Sequence, residues 1–88
     1  MTKKIWSRDR TAQQEMWEVE GKYVIVSQVK LKGSGLDPYE TMCFPCDEHG
    51  EVTSYFDLAC HRGLYKFIRT DEFIEDNKEA IVNGNRPD

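Results

Sequence analysis

The stretch Tyr39-Glu40-Thr41-Met42-Cys43-Phe44-Pro45-Cys46-Asp47-Glu48-His49-Gly50-Glu51-Val52-Thr53-Ser54-Tyr55-Phe56 decides how the chain is read. Its first half alternates. Met42, Phe44 and Cys46 fall on one side of an extended chain, and Tyr39, Thr41 and Cys43 fall on the other. A period of two is the signature of a half-buried strand. Pro45 has no amide hydrogen to give a neighbouring strand, so it belongs at a strand end or on an edge. Asp47-Glu48-His49-Gly50 reads as a type I turn closed by glycine, which leads into the short run at Val52.

Working towards the N-terminus, Lys22 to Lys32 is the strongest strand in the chain. Tyr23, Ile25, Val29 and Leu31 share one side, while Gln28, Lys30 and Lys32 share the other. Val24 and Val26 make its first half apolar on both sides, which requires a cover on the second side as well. Glu15 to Glu20 alternates too, with Trp17 and Val19 set against Glu18 and Glu20. Gly21 between these two runs suits a tight hairpin in which glycine supplies a positive φ. The glycine- and proline-containing segment Lys32 to Pro38 reads as a connecting loop. It lacks the Lys-Ser or Lys-Thr pair of a phosphate-binding loop. Residues 1–14 are polar apart from Ile5 and Trp6, and are expected to form an N-terminal arm. The alternative is an edge strand held down by Trp6.

Towards the C-terminus the period becomes ambiguous. Phe56, Cys60, Leu64, Phe67 and Ile68 would line one helical face, but Gly63 would interrupt that helix at a cost of ~1 kcal/mol. A strand or irregular edge around Leu58 to Arg62 is therefore preferred. Residues 70–83 predict a helix, capped by Thr70 or Asp71, with acidic residues in its first turn and Phe73, Ile74, Asn77, Ala80 and Ile81 as its stripe. Gly84 and Pro87 stop it. The expected architecture is α+β: a small antiparallel β-meander of three to four strands with a C-terminal α-helix packed on one face. Residues 15–84 form the single domain and 85–88 a tail. The expected core is Trp17, Val19, Ile25, Val29, Leu31, Met42, Phe44, Val52, Phe67, Phe73, Ile74 and Ile81.

Composition narrows the function classes. The chain has 88 residues, 12 basic and 16 acidic, for a net charge of −4. That balance makes nucleic acid an unlikely partner, since such binders carry a basic face and here only Lys3, Lys4, Arg8 and Arg10 cluster. No apolar run reaches the ~20 residues of a membrane span, and no secretory signal is expected. Three cysteines do not close a disulfide framework, so the expected compartment is a reducing cytoplasm.

Cys43, Cys46, His49, Cys60 and His61 are the candidate metal ligands. A Cys-x-x-Cys on a tight turn lets two thiolates converge on one zinc, with Cys60 and either His61 or His49 completing the set. A structural zinc would stabilise a domain this small. Against that, adjacent residues point apart, and in a regular strand Cys43 and Cys46 lie on opposite faces. Cysteine also packs readily as a small apolar side chain. Cys43-Phe44-Pro45-Cys46 has the spacing of thioredoxin-like redox motifs, but those place the first cysteine at a helix N-terminus, whereas an acidic turn follows here. No serine or histidine sits in a hydrolytic setting. Glu15, Glu18, Glu20 and Glu40 are expected on a solvated sheet face. The aromatic residues Trp6, Tyr23, Tyr39, Tyr55 and Tyr65 are the candidate partner-binding side chains, because tyrosine and tryptophan anchor protein interfaces.

Tyr39-Glu40-Thr41-Met42, Phe44-Pro45-Cys46-Asp47-Glu48 and Gly50-Glu51-Val52-Thr53-Ser54 together resemble a pattern found in small accessory proteins of phages and prophages, over residues 39–62. In that pattern an aliphatic residue commonly takes the place of Cys43, which weakens the zinc reading. The family has no agreed activity. What the resemblance implies is a non-enzymatic accessory protein of a bacteriophage or phage-derived locus. It would act in the cytoplasm of the bacterial host by binding a protein partner or by forming a homodimer. The alternative is a domain stapled by structural zinc.

Overall fold

The computed structural model describes residues 1–9, 12–30, 39–55, 57–63 and 69–84. Among these residues, five strands form one antiparallel sheet in chain order: β1 (Thr2–Asp9), β2 (Gln13–Val19), β3 (Lys22–Lys30), β4 (Tyr39–Cys46) and β5 (Ala59–Gly63). Two short helices follow, α1 (Thr70–Asp76) and α2 (Lys78–Gly84). The fold is α+β, as the alternation and the C-terminal stripe predict. No helix among the described residues is long and apolar enough to cross a membrane.

The strand count exceeds the three to four expected. The polar segment read as an arm contributes β1, which pairs along β2 from Thr2↔Val19 to Asp9↔Gln13. A bulge makes this pairing possible. Lys4 pairs with Trp17 and Trp6 with Met16, so Ile5 is the extra residue. The insertion turns the Trp6 side chain onto the same face as Met16. The alternative, an edge strand held down by Trp6, is the one the structure takes; the bulge leaves no period of two in residues 1–14 to favour it over an arm.

Between β2 and β3, Glu20 and Gly21 take φ of 51° and 84°, the two positive values of a type I′ hairpin turn. Register then carries face identity across the sheet. Trp17, Val24 and Pro45 share one row, while Met16, Ile25 and Phe44 share a row on the opposite face.

Both faces are covered. On one, Trp17, Val19, Val24, Val26 and Cys43 pack with Phe73, Ile74 and Ile81 from the helices, flanked by Leu58, Ala59 and Val82. On the other, Met16, Ile25 and Cys46 pack with Trp6, Tyr23 and Val52. The cover there is the connection after β4. Gly50 N–H donates to Asp47 O at 3.1 Å, and Cys46 bridges to Val52, so the turn folds back over the sheet. Asp47 Oδ1 also accepts from the amides of His49 and Glu51, at 2.9 and 3.0 Å.

The core differs from the expected set in a systematic way. Met16, Val24, Val26, Cys43 and Cys46, outside that set, are buried. Val29, Met42, Phe44 and Val52 are only half-buried. Leu31 and Phe67 lie outside the described residues. The helices cover the Val24–Val26 face of β3 rather than the Tyr23–Ile25 face. The second cover that Val24 and Val26 required is therefore the main one.

The predicted helix over 70–83 is divided at Asn77, which has φ −114° and ψ 15°. Asn77 donates both its backbone N–H and its Nδ2 to the Phe73 carbonyl, at 3.1 and 2.9 Å. An asparagine that offers its side chain to the backbone competes with continued helix. The N-cap position falls to Arg69, which makes no side-chain cap bond, while Asp71 Oδ1 accepts from the first-turn amide of Glu72 at 3.0 Å. The Thr70 hydroxyl is committed instead to Glu15 on β2.

Candidate binding surface

Cys43 and Cys46 both lie on β4, three residues apart, and so point to opposite faces of the sheet. Cys43 belongs to the helix-covered cluster and Cys46 to the cluster opposite. Cys60 pairs with Met42 and thus shares the face of Cys46, but four residues along the strand, roughly 13 Å away. His61 pairs with Thr41, on the face of Cys43. His49 stands in the exposed turn, 3.6 Å from Glu48 Oε1. The zinc set is therefore divided between two faces, and the turn geometry it needs at Cys43–Cys46 is replaced by a strand. Among the described residues, no group of three or more His, Cys, Asp or Glu side chains is placed to hold a metal ion.

The electrostatics of the two β4 thiols point the same way. Burial pushes the Cys43 thiol up to about 12, helped by Cys46 and Asp57. Burial and the neighbouring Asp47 push Cys46 up to about 11. Thiols in that range stay protonated at neutral pH, and it is the thiolate that attacks or ligates.

The carboxylates do not form one acidic face. Glu15 is buried against the helices and accepts from Trp17 Nε1 at 2.9 Å. Glu18 sits one pleat away, on the opposite face, and Glu20 lies in the hairpin turn. The period of two separates Glu15 from Glu18 however the strand is placed.

The aromatic candidates divide as well. Trp6 and Tyr23 are half-buried on the face opposite the helices. Tyr55 is 83% exposed and meets Phe44 on that same side, edge to face, with ring centroids 6.0 Å apart. Tyr39 is half-buried on β4 with the parity of Cys43, facing the other way. Tyr65 lies outside the described residues. Three of the five thus come to one side, where the cross-strand row Trp6, Met16, Ile25, Phe44 forms the floor.

Two side chains that matter here are not among the aromatic candidates expected from sequence. Phe44, expected in the core, is half-buried and carries Tyr55. Arg8 places its guanidinium 4.6 Å from the Trp6 ring centroid and donates to Gln14 Oε1 at 2.8 Å. The signal for Arg8 is its spacing: two residues after Trp6, it shares that side chain's face once the segment is a strand.

Comparison with protein-family models, with curated proteins and with solved structures found no match.

Proposed function

We propose that this chain is a small non-enzymatic accessory protein that works by binding another protein, through the side of the sheet opposite its helices. The observation that carries the reading is the Phe44–Tyr55 pair. Tyr55 is 83% exposed, and its ring makes an edge contact with that of the half-buried Phe44. An aromatic side chain positioned in this way offers contact area at little cost in ordering, which is what interface anchors supply. Among the described residues, the two buried thiols lie on opposite faces of the sheet and the histidines are set apart from them. The resemblance of residues 39–62 to phage and prophage accessory proteins gives the setting, a bacterial host cytoplasm.

The test is site-specific photo-crosslinking in bacterial cells. A benzophenone side chain replaces Tyr55 in one variant and exposed Glu79 on α2 in another. A discrete product from position 55 that is absent from position 79 supports the reading. Its mass then shows whether the partner is a different protein or a second copy of the chain. The same faint ladder from both positions would sink the proposal.

A further inference from the structure

β1 is the outermost strand of the sheet, paired on one side with β2 and on the other with nothing among the described residues. Such an edge presents a row of backbone donors and acceptors to whatever lies beside it. The charge along this edge is unusual for the chain. Lys3, Lys4 and Arg8 outweigh Asp9 on β1, whereas the whole protein is at −4. These cations are accessible. Lys3 is only loosely engaged, at 3.8 Å from Glu18, and Lys4 makes no ion pair among the described residues. Arg8 lies over Trp6 and donates its Nε to Gln14 Oε1, with its side chain still exposed. Ile5, the bulged residue, is 42% exposed in their midst.

We propose that the free edge of β1 accepts an extended acidic segment of another protein as a sixth strand. Backbone pairing would supply the attraction, as in strand-addition complexes generally, and the three cations would choose the sequence. Lysine on an edge ordinarily repels chance pairing. Here that repulsion rejects basic strands, while acidic strands gain attraction that neutral ones lack. A second copy of the chain is a poor occupant, because it would bring a like-charged β1 alongside. Nucleic acid is a poor one too, since three cations on a single strand of an acidic protein make no basic face. This contact is distinct from the Phe44–Tyr55 surface and does not depend on it.

The test uses the full chain and a synthetic peptide as long as β1 with glutamates on both sides of the strand, because Lys4 faces the opposite way from Lys3 and Arg8. Two control peptides carry glutamine or lysine in place of glutamate. Amide shifts and hydrogen exchange, read by NMR, locate the binding. The acidic peptide is expected to bind about tenfold more tightly than the glutamine peptide, the sum expected of three exposed ion pairs. That advantage should largely disappear in about 0.5 M salt, where charges are screened within a few ångströms. Slowed exchange should appear in β1. Lys4→Glu should lower the preference for the acidic peptide, and Lys3→Glu with Lys4→Glu should reverse it in favour of the lysine peptide. Tyr55→Ala should leave it unchanged. Equal binding of all three peptides would overturn the proposal. So would protection confined to other strands, or β1 amides already protected by self-association before peptide is added.

Discussion

Thr70, the first residue of α1, donates its hydroxyl to Glu15 Oε1 on β2, 55 residues earlier in the chain. The same oxygen accepts from Trp17 Nε1 at 2.9 Å. This carboxylate is buried, and it joins the helical layer to the sheet with polar bonds where the neighbouring contacts are apolar. A buried donor that loses its acceptor costs about 1–3 kcal/mol. Glu15→Leu is therefore expected to destabilise the fold by that amount in a urea melt, because it leaves the Trp17 indole N–H without a partner. Glu15→Gln keeps an acceptor oxygen and should cost clearly less. Equal losses for the two variants would mean that packing, not the hydrogen bonds, is what Glu15 contributes.

The second prediction tests which face of β3 the helices cover. Val26 is 1% exposed in the cluster with Phe73, Ile74 and Ile81, whereas Val29 is half-buried. Val26→Ala should cost about 2 kcal/mol through lost burial and the space left behind. Val29→Ala should cost less than about half of that, since its site is already partly wet. The reverse order would restore the core expected from sequence.

The difference between the expected and observed core has a physical reason that recurs through the molecule. Alternation showed β2, β3 and β4 plainly, and the Glu20-Gly21 turn marked the hairpin between the first two. Alternation does not say which of two apolar faces receives the helices, and Val24 and Val26 made β3 apolar on both. The edge strand was less legible. Trp6 reaches its face only through the bulge at Ile5, a feature of pairing that residues 1–14 do not display by themselves. At the candidate surface, the exposed aromatic Tyr55 was legible from residue type. The role of Phe44 was not, because its alternation is that of a core residue. The opposite orientations of Cys43 and Cys46 followed at once from accepting a regular strand.

Gly50 and Gly21 make a matched pair for the third prediction. Both take positive φ, 86° and 84°. A β-carbon at Gly21 would meet nothing within 4 Å, while one at Gly50 would lie 3.1 Å from Trp6 Cζ2 and 3.5 Å from Met16 Sδ. Alanine at either site incurs the left-handed backbone penalty of about 1–2 kcal/mol. At Gly50 it must also push Trp6 aside. Gly50→Ala is expected to be the more destabilising of the two, and to shift the Trp6 indole resonance, which Gly21→Ala leaves in place. Equal melts with an unmoved Trp6 signal would show that the turn does not rest on the ring.

The last prediction concerns the thiols and fixes the sign of their pH dependence. Cys60 is exposed, and Cys43 and Cys46 are buried. A thiol-specific reagent at pH 8 should modify Cys60 rapidly in the folded protein, and all three cysteines only in denaturant. Burial raises the Cys43 thiol from 9.0 to about 12, while the unfolded chain releases that proton near the ordinary value. Below pH 9 both states hold the proton and stability does not depend on it. Above pH 9 the unfolded state ionises first, so stability falls as pH rises towards 12. Cys43→Ala, compared with the wild-type chain in urea melts at pH 8 and pH 10, should lose less stability between the two values, although it starts lower. Protection of all three thiols at pH 8, together with release by a chelator, would instead mean that the cysteines share a metal and that β4 is not the regular strand that separates them.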